Sequence, residues 1–224
     1  SLSVAALKDR GFEKIPSYGV EPIDVPGAVA GWMTLHERFG KLPLEEVMAP
    51  AIRYAEKGYP VTPNISRLWQ EAFENYSKYR ERPEFQGWFD TFAPNNTWLK
   101  PGEMFRCPDM AKTLKEIAAT KGEAFYRGAI AEKIDAFFKK HNGFLTKEDL
   151  AAFKPEWVDP ISVNYHGVDV WELPPNGHGI TVLMALQILK DMNLAERDCA
   201  DTMHKQIEAM KLAMVDTAEY VAEP

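Results

Sequence analysis

"ISVNYHGVDVWELPPNGHGITVLMALQIL", Ile161 to Leu189, carries three kinds of local grammar in one run. Apolar residues alternate at Ile161, Val163 and Tyr165 and resume at Val168 and Val170 beyond His166-Gly167, which predicts a β-hairpin over about residues 161–173. Pro174 and Pro175 stop the strand because proline has no N–H for a ladder. Asn176 and Gly177 tolerate positive φ, and a helix is predicted to begin at Gly179 or Ile180. That helix is apolar at Ile180, Val182, Leu183, Met184, Leu186, Ile188 and Leu189, with a narrow polar edge at Gln187, Lys190 and Asp191. A helix of this kind is nearly buried in the finished protein.

The corner in the middle invites a catalytic reading that its residues do not support. A phosphate loop needs a lysine directly after its last glycine, but none follows Gly179 until Lys190. Gly177 and Gly179 give only the first half of a dinucleotide fingerprint. His178 has no acidic or nucleophilic neighbour in sequence, so it reads as structural. The free N–H groups at the helix start still favour a carboxylate.

Outward from this run, most of the chain reads as helix. Residues 26–40 open on Pro26 and close on Gly40, with Gly27 and Gly31 on one face that another backbone can approach. Residues 42–58 carry an apolar stripe at Val47, Met48, Ala51, Ile52 and Ala55, and Pro50 predicts a kink or an early break. Asn64 is the predicted N-cap of a helix with Ile65, Leu68, Trp69, Ala72, Phe73 and Tyr76 on its apolar face. Residues 80–108 are punctuated by Pro, Gly and Asn and studded with Trp88, Phe89, Phe92, Trp98 and Phe105. They are too apolar for disorder and read as an ordered loop packed by its rings, with an aromatic binding surface as the sharper alternative. Further helices are predicted around Met110–Ala118 and Ile130–Phe138, and Thr146 and Asp149 stand at capping-box spacing. Near the end, Met203, Ile207, Met210, Met214 and Ala218 share a face that reads as core.

Composition sets the bounds. The chain has 224 residues, 46% apolar and 26% charged, enough for one sizeable domain or two small ones. A net charge of -7 argues against nucleic acid or an anionic membrane as main partner. No run of about 18 apolar residues exists, so no spanning helix is expected. Cys107 and Cys199 lack metal-ligand spacing and read as reduced thiols. His36, His141, His166, His178 and His204 form no paired-histidine motif, so neither metal nor cofactor is expected. The residues alone define a mainly α chain with one β-hairpin and no catalytic constellation.

Four stretches, in order, carry a resemblance. They are "VPGAVAGWMTLHERFGKLPLEEVMAPAIRYAEKGYPVTP" (Val25–Pro63), "GEAFYRGAIAEKI" (Gly122–Ile134), "GFLTKEDLAAFKPEWVDPISVNYHGVDVWELPPNGHG" (Gly143–Gly179) and "KLAMVDTAEYVAEP" (Lys211–Pro224). Together they resemble the large subunit of the gamma-glutamyltransferase family from about Gly11 onward. The resemblance implies a fragment of the αββα N-terminal-nucleophile hydrolase fold, residues 1–224 being a partial large-subunit domain. Its helices then span about 26–155 and 179–221, with the hairpin at about 161–173. It implies a precursor that cuts itself, freeing a threonine that attacks a gamma-glutamyl amide such as glutathione and passes the acyl group to water or an amino acid. That threonine is expected beyond Pro224, and the arginine that grips the substrate carboxylate before Ser1. Arg10, in "KDRGF", does not fit that arginine's motif. Missing parts of the same precursor are thus the expected partners, and self-association through an uncovered apolar surface is a further expectation.

Two departures stand out. Where the family has a Pro-Pro-Pro-Ser-Ser-Gly-Gly block, this chain reads "PPNGHG", so Asn176, Gly177 and His178 become the candidate substrate-binding residues. Asp216-Thr217 stands where the family often has Asp-Arg. Both point to a branch whose acyl donor need not be glutathione, and cephalosporin-type acylases share the architecture. No catalytic residue is expected within the chain, which is therefore expected to be inactive alone. The rival reading is a non-catalytic helical interaction module docking through residues 85–105 or the methionine-rich helix. The compartment stays open.

Overall fold

The computed structural model of the protein describes residues 3–194 and 196–222. Ser1, Leu2, Ala195, Glu223 and Pro224 lie outside the described residues, and with them the two ends at which the sequence reading places boundaries. The chain divides into two compact units, residues 1–155 and 156–224.

The first unit is a helical assembly. Its helices are α1 (Val4–Asp9), α2 (Ala28–Phe39), α3 (Leu44–Lys57), α4 (Pro63–Tyr76), α5 (Gln86–Phe92), α6 (Pro108–Thr120), α7 (Glu123–Arg127), α8 (Ala129–Lys140) and α9 (Lys147–Ala152). Strands β1 (Tyr59–Pro60) and β2 (Met104–Phe105) pair antiparallel. The main core gathers Val29, Met48, Ile117, Ile130, Phe138 and Leu150 from five of those helices. Leu150 is fully buried.

Local chemistry explains the joints. Gly27 offers α2 no side-chain cap. The Tyr126 hydroxyl replaces it, accepting from the Ala30 N–H at 3.0 Å and donating to the Pro26 carbonyl at 2.7 Å. Burial raises the Tyr126 pKa, against the opposing pull of the Ala30 hydrogen bond. The Tyr126 ring stacks on Phe153 at 5.7 Å, and a Cβ on Gly27 would lie 2.9 Å from the same Phe153 ring. One glycine of the smooth α2 face is thus explained by packing; Gly31 has nothing within 4 Å of where its Cβ would be. At α9, Thr146 and Asp149 form the reciprocal capping box. Asp135 of α8 adds a second anchor, accepting from the Lys147 N–H at 3.2 Å and from Lys139 at 2.6 Å.

Three sequence expectations need correction in this unit. Of the two outcomes expected at Pro50, the early break does not occur, and α3 runs through it. It sits on the exposed side with Glu46, whose carbonyl loses its helical partner, so water can take that carbonyl. The cap of α4 is Thr62 rather than Asn64, because Pro63 takes the first helical position and Thr62 accepts from the Ile65 N–H. The aromatic segment is ordered through its rings, as read, but it also holds α5 and β2. Phe85, Phe89 and Ala93 form its buried centre against Tyr18, Phe73, Tyr76, Tyr79 and Trp88. Elements of seven and two residues are too short to leave a period in the sequence.

The second unit holds the run from Ile161. Strands β3 (Ile161–Tyr165) and β4 (Val168–Glu172) form the predicted hairpin, in register Tyr165 to Val168. His166 and Gly167 take φ of 50° and 87°, the paired positive values of a type I′ hairpin turn. The Asn164 side chain pins the turn, accepting from the Gly167 N–H at 3.1 Å. Helices α10 (Gly179–Leu189) and α11 (Ala200–Tyr220) complete the unit, α10 packing on the hairpin and α11 on α10.

Here the expected core face of α11 is overturned. Thr202, Ala209, Ala213 and Thr217 are buried, while Met203, Ile207 and Met214 are 52%, 55% and 59% exposed. The bulky, apolar α10 accepts a close neighbour only where that neighbour is small, so the small-residue stripe turns inward. The large stripe is left as an uncovered apolar flank. The described residues are mainly helical, with two small antiparallel sheets rather than the single predicted hairpin. Among the described residues no helix is long and apolar enough to cross a membrane.

Candidate functional site

The corner between β4 and α10 is an open turn. Asn176, Gly177 and His178 are adjacent and exposed. Neither Asn176 nor Gly177 uses the positive φ that its residue type permits. His178 is the N-cap of α10, with φ -81° and ψ 3°, but its side chain makes no capping hydrogen bond. The start of α10 thus lacks a side-chain cap, and an uncapped helix start favours a nearby carboxylate.

One residue at this corner escaped the sequence reading. The Glu172 side chain folds over the start of α10, so closely that a Cβ on Gly179 would lie 2.5 Å from its Oε2 and 2.9 Å from its Cβ. Gly179 is thus required by Glu172. A carboxylate at the positive end of α10 complements the helix dipole. The signal was present in the alternation: Glu172 falls on the same inward face as Val170.

Beside the corner runs an open, mostly apolar groove of about 430 Å³ between β3 and α10. Val163, Ile180, Leu183, Met184 and Ile188 line it, and Ser162, Gln187 and Asp216 supply its polar edge. Asp216 belongs to the Asp216-Thr217 pair that departs from the family pattern. Its neighbour Thr217 points inward: the Thr217 hydroxyl donates to the Ala213 carbonyl at 2.7 Å and lies 2.7 Å from the Thr181 hydroxyl. The structure therefore gathers Asn176, Gly177 and His178 into one turn, with Glu172 behind it and Asp216 on the groove beside it. Among the described residues no cluster of three His, Cys, Asp or Glu is placed to hold a metal ion.

The chain has matches among known proteins. The chain belongs to the gamma-glutamyltranspeptidase family, whose model matches residues 2–224. It is 32% identical to the glutathione hydrolase proenzyme of Pseudomonas aeruginosa over 97% of this chain and 39% of that protein. Its structure is similar to the crystal structure of a cephalosporin acylase from Bacillus halodurans, with TM-score 0.95 and 51% identity over 100% of this chain and 42% of the other. It is also similar to the Helicobacter pylori gamma-glutamyltranspeptidase, with TM-score 0.82 and 28% identity over 95% of this chain and 60% of that one. The chain spans about two fifths of the length of the proenzyme it matches.

Proposed function

We propose that this chain is the central and C-terminal part of the large subunit of a gamma-glutamyltransferase-like enzyme. The observation that carries the reading is the family match over residues 2–224. In this reading the parent protein is a precursor that cuts itself and frees a threonine outside residues 1–224. That threonine attacks the carbonyl of a gamma-glutamyl amide, the amine departs, and water or an amino acid takes the acyl group. The present chain contributes a wall of the site rather than its nucleophile.

The corner formed by Asn176, Gly177 and His178 is the part of that wall we assign to substrate contact, through the uncapped start of α10. The α11 flank and the groove between β3 and α10 support placing this chain inside a larger αββα sandwich. Monomeric proteins seldom leave faces of that kind open, and a sheet of two strands is seldom stable by itself. The remaining parts of the precursor are the proposed cover.

A second reading is favoured by one observation, the 51% identity to a cephalosporin acylase. Here the same chemistry acts on the side-chain amide of a cephalosporin. One experiment separates the readings. The parent protein is expressed, its self-cleavage followed on a gel, and the processed enzyme offered gamma-glutamyl-p-nitroanilide and a cephalosporin amide in parallel. Processing with gamma-glutamyl turnover supports the first reading, and processing with only cephalosporin turnover supports the second. A parent protein that neither self-cleaves nor turns over an amide defeats both and favours a helical interaction module. The chain of residues 1–224 alone is expected to be inactive.

A further inference from the structure

The chain contains two Asn-Gly pairs, Asn142–Gly143 and Asn176–Gly177, and the structure treats them oppositely. Asparagine followed by glycine is prone to a self-reaction, because glycine has no side chain to shield its nitrogen or restrict its backbone. The following backbone nitrogen attacks the asparagine Cγ. A new C–N bond closes a five-membered imide, the Cγ–Nδ2 bond breaks, and ammonia leaves with the proton from the backbone nitrogen. Water then opens the imide at one of its two carbonyls, giving aspartate or isoaspartate. The balance is one water consumed and one ammonia released. Attack requires a backbone N–H free to lose its proton and a backbone free to turn.

At Asn142–Gly143 neither condition holds. The pair ends α8 in a Schellman cap: the Gly143 N–H donates to the Phe138 carbonyl at 2.8 Å and the Asn142 N–H to the Lys139 carbonyl at 3.5 Å. Asn142 is fixed at φ 57°, and its carbonyl accepts from the Arg10 guanidinium. The Phe138 ring fills the space beside Gly143. The attacking nitrogen is thus held in a hydrogen bond inside a packed cap.

At Asn176–Gly177 every one of these restraints is missing. Both residues are exposed, and neither has positive φ. Nothing lies within 4 Å of the Gly177 Cβ position. Among the described residues, neither the Gly177 N–H nor the Asn176 side chain has a hydrogen-bond partner. We infer that Asn176–Gly177 is a site of spontaneous deamidation, converting the corner before α10 from neutral to anionic, while Asn142–Gly143 is protected by its helix cap. The inference rests on the geometry of the two pairs and not on the substrate role proposed for the corner. A carboxylate two residues before the His178 N-cap stands near the positive end of α10, so the product is tolerated by the fold.

The test holds the folded parent protein at mildly alkaline pH and physiological temperature and follows both peptides by protease digestion and mass spectrometry. Isoaspartate is counted separately by enzymatic methylation. The Asn176 peptide is expected to gain one dalton, as mixed aspartate and isoaspartate, while the Asn142 peptide converts about tenfold more slowly, the factor one retained hydrogen bond imposes. In urea the two rates converge. Gly177→Ala, which meets no atom, slows the Asn176 conversion and leaves the Asn142 rate unchanged. Equal rates in the folded protein overturn the inference. So does an Asn176 that stays intact for as long as the urea-unfolded chain takes to convert.

Discussion

The hydroxyl oxygens of Thr181 and Thr217 lie 2.7 Å apart in the contact between α10 and α11. Thr217 has one proton, and it is committed to the Ala213 carbonyl. The proton between the two threonines therefore comes from Thr181, and Thr217 accepts it. This order makes the pair unequal. Thr217→Val strands the buried Thr181 donor and is expected to cost about 1–3 kcal/mol, the penalty of an unmet buried polar group. Thr181→Val leaves Thr217 bonded to Ala213 and costs less. The double valine variant recovers part of the loss. Urea denaturation of the four proteins measures all three differences, and equal costs for the two single variants would contradict the proton order.

Tyr126, on α7, holds the start of α2. Removing its hydroxyl in Tyr126→Phe leaves the Ala30 N–H and the Pro26 carbonyl without their partner while keeping the ring on Phe153. Both bonds are only partly buried and water can reach the freed groups, so the expected loss is about 1 kcal/mol for each. Since the Tyr126 pKa is raised, ionisation works against folding, and stability should fall as pH rises above the ordinary tyrosine value toward the higher folded one. The phenylalanine variant should show a shallower fall over that range.

Gly27 and Gly31 make a paired test on one helix. Alanine at Gly27 meets the Phe153 ring at 2.9 Å and should lower the melting temperature. Alanine at Gly31 meets nothing and should raise stability of residues 1–224 by roughly 0.5–1 kcal/mol, the ordinary helix preference for alanine. If the Gly31 variant is neutral in this chain but harmful in the parent protein, the open side of α2 is covered there.

Asp135 sets an acid limit. The hydrogen bond from Lys139, aided by the Lys147 N–H and opposed by desolvation, holds its carboxyl below the usual value. A depressed folded-state pKa gives stability that is present above the unfolded value of about 3.9 and is lost as pH falls through the folded value. Asp135→Asn should therefore be less stable than the parent sequence at neutral pH, with the gap closing as the pH drops below the carboxylate range. A gap that stays constant on acidification would remove Asp135 from the account.

The sequence is most legible where one residue type has one conformational job. His166-Gly167 announces its turn, Thr146 and Asp149 announce their box, and Pro174-Pro175 announce the end of β4. Thr62 was readable too, since Pro63 prefers the position just after a cap. The face of α11 was not, because burial there depends on the shape of α10 rather than on the hydropathy of α11 itself. The placement of Glu172 and the Tyr126 cap depend on contacts with other elements. Spacing along the chain does not encode those contacts. Asn176, Gly177 and His178 were legible as a corner, but their neighbours Glu172 and Asp216 emerge only in three dimensions.

The hairpin, α10 and α11 follow one another along the chain and pack in that order, so their contacts are local and rapidly formed. This second unit can consolidate as it leaves the ribosome, one element at a time. It then presents Met203, Ile207 and Met214 to the cytosol of the synthesising cell as soon as α11 winds up. In the proposed precursor, where other parts cover this flank, early synthesis is thus the most adhesive moment. Slowing translation just after α11 should increase its loss to aggregates and its demand for chaperones.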